Sequence, residues 1–355
     1  MNVIDLARPE IRTLKPYQAA EQVADTVRLN ANESPKENST GSFRRPLNRY
    51  PEVRPAKLQA ALAKRFNCGP QQLLVTRGSS EAIDLLVRCF CRAGIDNIVT
   101  TLPSFSMYRH YAEVQGAAVV EVPTIAANDF AIEVTALLEA ADAHSKIVFV
   151  CSPNNPTGTP LLRTDLLQLL RGREGRSIVV VDEAYIEFGS ETSAVELLET
   201  FPNLVILRTL SKALGFAGAR CGAAIASAEV IEILSAVQAP YALATPVVEL
   251  VEDALQEKQL LESAANVAEL IAERKRLAAA LAAFGFVRKI WPSEANFLFI
   301  ECDAALEVVN YCHRHKVLLR HFGGALQDCI RITVGDRSEN DALLTVLQTF
   351  AEGKA

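Results

Sequence analysis

Short apolar segments rich in β-branched residues alternate with helix-like segments over nearly two hundred residues, after a polar, proline-bearing stretch that ends near Pro55. The run Ile-Val-Val-Val at 178–181 is continuously apolar, which is typical of a strand covered by helices on both faces. Strands are predicted at 73–76, 98–101, 119–122, 147–150, 178–181, 205–207 and 223–226. This alternation predicts an α/β fold with a central, mostly parallel sheet flanked by helices.

Helical patterns fill the intervals between these strands, and one begins with Pro55, where a proline suits the first turn. Helices are predicted at 55–66, 80–91, 104–115 and 162–171. A longer pattern rich in Ala, Leu and Glu runs from 246 to 283 with no internal Gly or Pro. It predicts one long helix that bridges two domains.

The last part of the chain has a different order of elements. Strands are predicted at 286–290, 296–300, 317–319 and 329–334, and helices at 304–315 and 338–350. This order predicts a small α+β domain beside the large one, and a chain of 355 residues is long enough for both.

Composition and charge exclude several classes of protein. Thirty-six Lys and Arg residues against 42 Asp and Glu give a net charge of −6, which argues against binding to nucleic acid or anionic lipid. No apolar run approaches the roughly 20 residues of a membrane span, and the first residues lack the pattern of a secretion signal. We therefore expect a cytoplasmic protein with neither a nucleic-acid nor a membrane partner.

The eight cysteines are scattered and form no Cys-x-x-Cys pair, so we expect buried, free thiols. His313 and His315 are two positions apart and would face different sides of a helix. The sequence thus predicts no metal site. No G-x-G-x-x-G, P-loop, H-E-x-x-H or G-x-S-x-G pattern occurs, which removes support for nicotinamide, nucleotide triphosphate and serine-hydrolase chemistry.

Three polar features follow predicted strands, at the edge where open α/β sheets bind ligands. In the first, Gly78, Ser79 and Ser80 lead into a helix whose free N–H groups favour a phosphate. The same residues equally suit an ordinary helix cap.

The other two features are an acidic pair and a lysine. Asp182 and Glu183 end an apolar strand, where a carboxylate must find a cation or hydrogen-bond donors unless it caps a helix. Lys212 follows the strand at 205–207 among small residues. A partly desolvated lysine has a lowered pKa and can attack a carbonyl, although an isolated lysine is more often on the surface.

Taken together, six ordered motifs give the chain its resemblance to the fold-type I aminotransferases that depend on pyridoxal phosphate. They are Leu-Asn-Ala-Asn-Glu-Ser-Pro at 29–35, Asn-Arg-Tyr-Pro at 48–51, Ser-Pro-Asn-Asn-Pro-Thr-Gly at 152–158, Asp-Glu-Ala-Tyr at 182–185, the 211–220 run from Ser-Lys to Arg, and Ile-Arg-Ile-Thr-Val-Gly at 330–335. The resemblance covers residues 5–337. It implies a large cofactor-binding domain at 36–250 and a small domain built from 1–35 and 251–355.

The resemblance also implies a role for each matching residue. Lys212 would form a Schiff base with the cofactor aldehyde, and Asp182 would pair with the protonated pyridine nitrogen, which makes the ring an electron sink. Asn155 and Tyr185 would hydrogen-bond the phenolic oxygen of the ring.

The remaining cofactor contacts implied by the resemblance concern the phosphate and the ring face. The phosphate ligands would be Gly78, Ser79, Ser80, Ser211 and Arg220. Family members often carry an acidic residue at the position of Ser80. Phe105 would stack on the ring where the family commonly has tyrosine, so stacking is kept and a hydroxyl hydrogen bond is lost.

For the substrates, the resemblance implies ping-pong transamination between histidinol phosphate and 2-oxoglutarate. Arg331 would clamp the glutamate carboxylate in bidentate fashion, while Arg320 and Tyr17 would bind the substrate phosphate. Tyr50 matches a residue that reaches the cofactor phosphate of the neighbouring subunit, which implies a homodimer with shared active sites.

Three alternatives stay open on the sequence. One is an aminotransferase for aromatic amino acids, since a pocket for imidazole can accept other rings. Another is a pyridoxal-phosphate lyase similar to threonine-phosphate decarboxylase, which shares the fold and the lysine but releases CO₂. The last is a non-catalytic regulator that binds the cofactor, although the length leaves no room for an additional DNA-binding domain.

Overall fold

The computed structural model describes residues 3–22, 26–37 and 41–353. Its strands are β1 (Leu73–Thr76), β2 (Asn97–Leu102), β3 (Ala118–Pro123), β4 (Ser145–Cys151), β5 (Ile178–Asp182), β6 (Leu204–Thr209), β7 (Gly222–Ala226), β8 (Val287–Trp291), β9 (Phe297–Cys302), β10 (Arg320–His321) and β11 (Cys329–Thr333). Its helices are α1 (Pro9–Arg12), α2 (Ala56–Arg65), α3 (Ser79–Phe90), α4 (Met107–Gln115), α5 (Val134–Ala140), α6 (Arg163–Gly172), α7 (Ala228–Val237), α8 (Thr245–Ala254), α9 (Glu257–Leu281), α10 (Ala305–Arg314) and α11 (Arg337–Glu352).

A seven-stranded sheet in the order β1-β7-β6-β5-β4-β2-β3 forms the centre of the larger part. Strands β2 to β6 pair in parallel, whereas β7 runs antiparallel to both of its neighbours. The side chains of β5 alternate between two apolar clusters: Ile178 and Val180 enter one, Val179 and Val181 the other. The continuous apolar run therefore does mark a strand covered on both faces, and the predicted mostly parallel sheet is confirmed.

A second, antiparallel sheet in the order β10-β11-β9-β8 packs against α9, α10 and α11. In its ladder Arg320 lies directly opposite Arg331. The register between two short strands thus places side by side two arginines that are eleven positions apart in the chain.

Two element predictions are wrong. The pattern at 246–283 forms two helices, because Gln256 adopts an extended conformation (ψ 152°) between them. The break lets Val251 of α8 pack in the core of the large sheet, while Leu277 of α9 packs in the core of the small one. The strand predicted at 317–319 is displaced, since pairing with β11 begins only at Arg320.

The first residues of the chain also differ from the predicted division into domains. Val3, Leu6 and Ala7 are buried in the same cluster as residues of α3 and α7, which flank the large sheet. This segment therefore packs on the large sheet and not with the small domain, because its apolar side chains are buried there. The rest of the division stays a prediction.

All eight cysteines are free, and every one except the half-buried Cys68 is buried, as the sequence predicts. Within the described ranges, no helix combines the length and the apolar character that crossing a membrane requires. The cytoplasmic location stays a prediction.

Candidate active site

A cavity of about 670 Å³ opens at the carboxyl ends of the large-sheet strands and is closed on one side by the small sheet. Twelve of the residues singled out in the sequence line it: Gly78, Ser79, Ser80, Phe105, Asn155, Asp182, Tyr185, Ser211, Lys212, Arg220, Arg320 and Arg331. The fold thus gathers residues that are up to 253 positions apart in the chain, from Gly78 to Arg331, into one site.

One end of the cavity is a cradle suited to an anion. Gly78 has a positive φ of 74° and precedes α3, whose first N–H groups lack partners within the helix. A Cβ on Gly78 would come 3.0 Å from Nη2 of Arg220, so this guanidinium lies directly against the start of the helix. A Cβ on Gly222 would come 2.8 Å from the backbone nitrogen of Ser79, which explains why β7 carries a glycine there.

Asp182 ends β5 and is 2% exposed. Its Oδ2 accepts a hydrogen bond from the Tyr108 hydroxyl (2.9 Å) and its Oδ1 one from the Ala184 backbone N–H (3.1 Å). Burial raises the pKa of this carboxyl to about 6 despite both donors. In the described part of the chain no Lys, Arg or His nitrogen lies within 4.0 Å of it, so its charge lacks an ion-pair partner.

Lys212 follows β6 and lines the cavity, where its side chain is open to solvent and its Nζ lies 5.6 Å from the centroid of the Tyr185 ring. Burial lowers the pKa of its amine, and the positive charges of Arg331 and Arg220 lower it further, while Asp182 opposes them. A lower pKa increases the share of neutral amine, which is the form that attacks a carbonyl.

Asn155 connects the two sheets across the cavity. Its Nδ2 donates to the Tyr185 hydroxyl (3.3 Å), and its Oδ1 accepts from the guanidinium of Arg331. That guanidinium also lies over the ring of Phe297, at 5.3 Å from its centroid. These contacts fix the orientation of Arg331 within the cavity.

Arg320 lines the same part of the cavity, with its guanidinium 5.6 Å from the centroid of the Phe322 ring. Burial lowers the pKa of Arg331, and the neighbouring charge of Arg320 adds to this effect. Two adjacent cations of this kind favour a substrate that carries an anionic group.

Tyr17 and Tyr50 do not line this cavity. Tyr50 is 50% exposed and stacks on Tyr241 at 4.6 Å, and Tyr17 is 54% exposed and meets Tyr241 edge-on at 6.2 Å. The structure therefore places these two predicted site residues together on the surface, apart from the other twelve.

Two residues that the sequence analysis missed belong to this region. Tyr108, three positions after Phe105, is fully buried and donates to Asp182. Phe322 lines the cavity two positions after Arg320. In the sequence, Tyr108 could have been found only from its helical spacing and Phe322 only from strand alternation. Both patterns describe ordinary core residues equally well.

Comparison with known proteins gives matches over nearly the whole chain. The sequence profile of the family described as aminotransferase class I and II matches residues 11–347. A histidinol-phosphate aminotransferase from Xylella fastidiosa (strain 9a5c) is 44% identical over 352 residues, which is 98% of this chain and 96% of that protein.

Two solved structures share the fold at lower identity. The histidinol-phosphate aminotransferase from Sinorhizobium meliloti in complex with pyridoxal-5'-phosphate has a TM-score of 0.79 at 24% identity, covering 87% of this chain and 84% of that one. The L-threonine-O-3-phosphate decarboxylase from Porphyromonas gingivalis has a TM-score of 0.73 at 24% identity, covering 86% and 91%. Two different reactions thus occur on this fold, and the choice between them depends on the site.

Proposed function

The chain belongs to the class I and II aminotransferases, and from this premise we propose that it transfers the amino group of histidinol phosphate to 2-oxoglutarate. The products would be imidazole-acetol phosphate and glutamate, which places the reaction in histidine biosynthesis. The observation that carries the proposal is that one cavity is lined by Lys212, by Asp182, by the anion cradle and by two arginines. The 44% identity to a histidinol-phosphate aminotransferase supports this choice of substrate.

The residues of the cavity fit pyridoxal phosphate. The start of α3, Ser79, Ser211 and Arg220 would hold its phosphate, and the unpaired carboxylate of Asp182 would hold its protonated ring nitrogen. Phe105 would stack on the ring, and Lys212 would bind the aldehyde carbon. When bound, this cofactor supplies an exchangeable carbonyl carbon and a ring that takes up the electron pair released at the substrate Cα.

The protein's own side chains would carry the proton transfers. The amine of Lys212 would accept the proton from the substrate Cα and return one as general acid, and its lowered pKa increases the share of neutral amine that can accept this proton. Asn155 and Tyr185 would orient the ring through their hydrogen-bonded pair. Arg331 would bind the carboxylate of glutamate and Arg320 the phosphate of histidinol phosphate.

The substrate assignment can be tested by a single comparison. Purified protein is incubated with histidinol phosphate, phenylalanine or phosphothreonine, each with 2-oxoglutarate, while glutamate and CO₂ are measured. We expect the highest kcat/KM for histidinol phosphate. A preference for phenylalanine would indicate the aromatic aminotransferase, and CO₂ from phosphothreonine would indicate the lyase.

The two arginines allow a prediction about substrate recognition. Changing Arg331 to Lys removes a bidentate, charge-assisted contact, so we expect KM for 2-oxoglutarate to rise roughly tenfold to 100-fold. Changing Arg320 to Lys should instead raise KM for histidinol phosphate, as measured by steady-state kinetics with each substrate varied in turn. An equal effect of both variants on both substrates would contradict the division of roles.

We also propose that the active molecule is a homodimer with shared sites. Large apolar side chains are exposed in the described parts of the segment 14–50, namely Leu14, Val27, Leu29, Phe43 and Leu47. Tyr50 lies in this region and outside the cavity of its own chain. A second copy of the chain that covers the region would bury these side chains. Tyr50 of the first copy would then reach the cofactor phosphate in the cavity of the second copy.

Mixing two inactive variants tests this arrangement. Heterodimers of Tyr50→Ala and Lys212→Ala chains would contain one intact site, so co-refolding should restore activity at about a quarter of all sites. Each variant refolded alone is the control. Activity that does not exceed the sum of these controls would show that Tyr50 does not act across an interface.

A further inference from the structure

We infer that Tyr108 is a positioning residue that holds the carboxylate of Asp182 in place for the ring nitrogen of the cofactor. The inference rests on the proposed function, in which Asp182 pairs with that nitrogen. It assigns a role to a side chain that does not line the cavity and whose hydroxyl acts through Asp182.

The position of the Tyr108 hydroxyl is fixed by packing. Tyr108 lies on α4 and is fully buried, and its ring stacks on Phe149 with centroids 4.7 Å apart and an angle of 7° between the planes. The ring of Phe105 packs against the same ring in an edge-to-face arrangement, with 5.7 Å between the centroids. A ring held on two sides cannot turn its hydroxyl away from Asp182 without disturbing the core.

The hydrogen bond between them has a definite direction. Burial raises the pKa of the Tyr108 phenol well above its ordinary value, so the hydroxyl keeps its proton and donates it to Oδ2 of Asp182. Oδ1 is already bonded to the Ala184 backbone N–H. In the parts of the chain that the structure describes, Tyr108 is thus the one side chain that donates to this carboxylate.

Other charged or titratable groups also act on Asp182, so the contribution of Tyr108 must be separated from theirs. Glu183 follows it in the chain and raises its pKa, whereas Lys212 lowers it across the cavity. The thiol of Cys151 and the phenol of Tyr185 lie close enough to interact with its charge. The Tyr108 bond opposes the effect of burial and favours the ionised form that a pyridinium nitrogen requires.

Tyr108→Phe keeps the ring and removes the donor. In the cofactor-free protein, the titration of Asp182 should move to higher pH, as followed by its carboxyl infrared band, which is identified by its absence in Asp182→Asn. The dissociation constant for pyridoxal phosphate at pH 7 should rise roughly tenfold, the effect of losing one hydrogen bond to a charged group. Tyr311→Phe, on α10 with its ring stacked on His315 and outside the cavity, is the matched control and should change neither quantity.

A second variant predicts the opposite change. Placing 3-fluorotyrosine at position 108 gives a more acidic, stronger donor of nearly the same shape, so the Asp182 titration should move to lower pH. An Asp182 titration that is the same in wild type, Tyr108→Phe and the fluorotyrosine protein would overturn the inference, even if Tyr108→Phe loses stability. The infrared titration needs neither cofactor nor amino donor, so it can succeed or fail independently of the proposed transamination.

Discussion

Replacing Lys212 with alanine is expected to lower kcat by roughly 10⁴-fold, because the amine that we propose as the group that moves the proton at the substrate Cα is lost. Lys212 is the one lysine among the described residues that line the cavity, so no second amine stands in for it. The visible absorbance band that pyridoxal phosphate gives when bound to a lysine should also disappear. Both effects can be measured on the same purified sample, by absorption spectroscopy and by a glutamate-formation assay.

Two controls separate the loss of the amine from the loss of a charge. Lys212→Arg keeps a cation at the position but provides no nucleophilic amine, and it should be as inactive as the alanine variant. Lys258→Ala removes an exposed lysine of α9 and should retain both the band and the activity. A band that persists in Lys212→Ala would show that another lysine binds the cofactor.

The regular elements were predictable wherever a single apolar pattern determines the local structure. All seven strands of the large sheet occur at the predicted places, because each needs only one apolar run. The break at Gln256 was not predictable, since its cause is that Val251 and Leu277 pack in different cores. The start of β10 at Arg320 likewise depends on a ladder partner, Arg331, whose position no local pattern gives.

The site residues likewise divide into those that a local pattern reveals and those that depend on distant contacts. Asp182 and Lys212 stood out because an acidic residue and a lone lysine at strand ends contrast with their apolar surroundings. Tyr108 did not stand out, because a buried tyrosine on a helix resembles any core residue until its hydroxyl has a partner across the fold. Tyr50 lies outside the cavity of its own chain, and the role that we propose for it needs a second subunit, which the sequence of one chain indicates only through a motif.

Changing Asp182 to Asn is expected to weaken cofactor binding and lower kcat by roughly 100-fold to 1,000-fold, the cost of removing one partner of a buried ion pair. The substituted amide has nearly the same shape but leaves the protonated ring nitrogen without a counter-charge. The dissociation constant for pyridoxal phosphate and the steady-state rate measure the two effects. Asp182→Glu keeps the charge and should retain more activity than Asp182→Asn. An Asp182→Asn variant as active as wild type would contradict the proposed pairing of Asp182 with the ring nitrogen.

Although Asp182→Asn is expected to lower activity, it should raise the stability of the cofactor-free protein. The pKa of Asp182 rises from an ordinary value of 3.8 to about 6 on burial, so the folded protein binds the proton more tightly than the unfolded chain does. Wild-type protein should therefore lose stability relative to Asp182→Asn as the pH rises from about 4 through about 6, and the difference should persist above that range. Thermal unfolding of both cofactor-free proteins across this range measures it. If Asp182→Asn is more stable than wild type without the cofactor and less active with it, the carboxylate is kept for its charge and destabilises the apoprotein. A cofactor-free wild type that is as stable as Asp182→Asn at pH 7, or more stable, would contradict that conclusion.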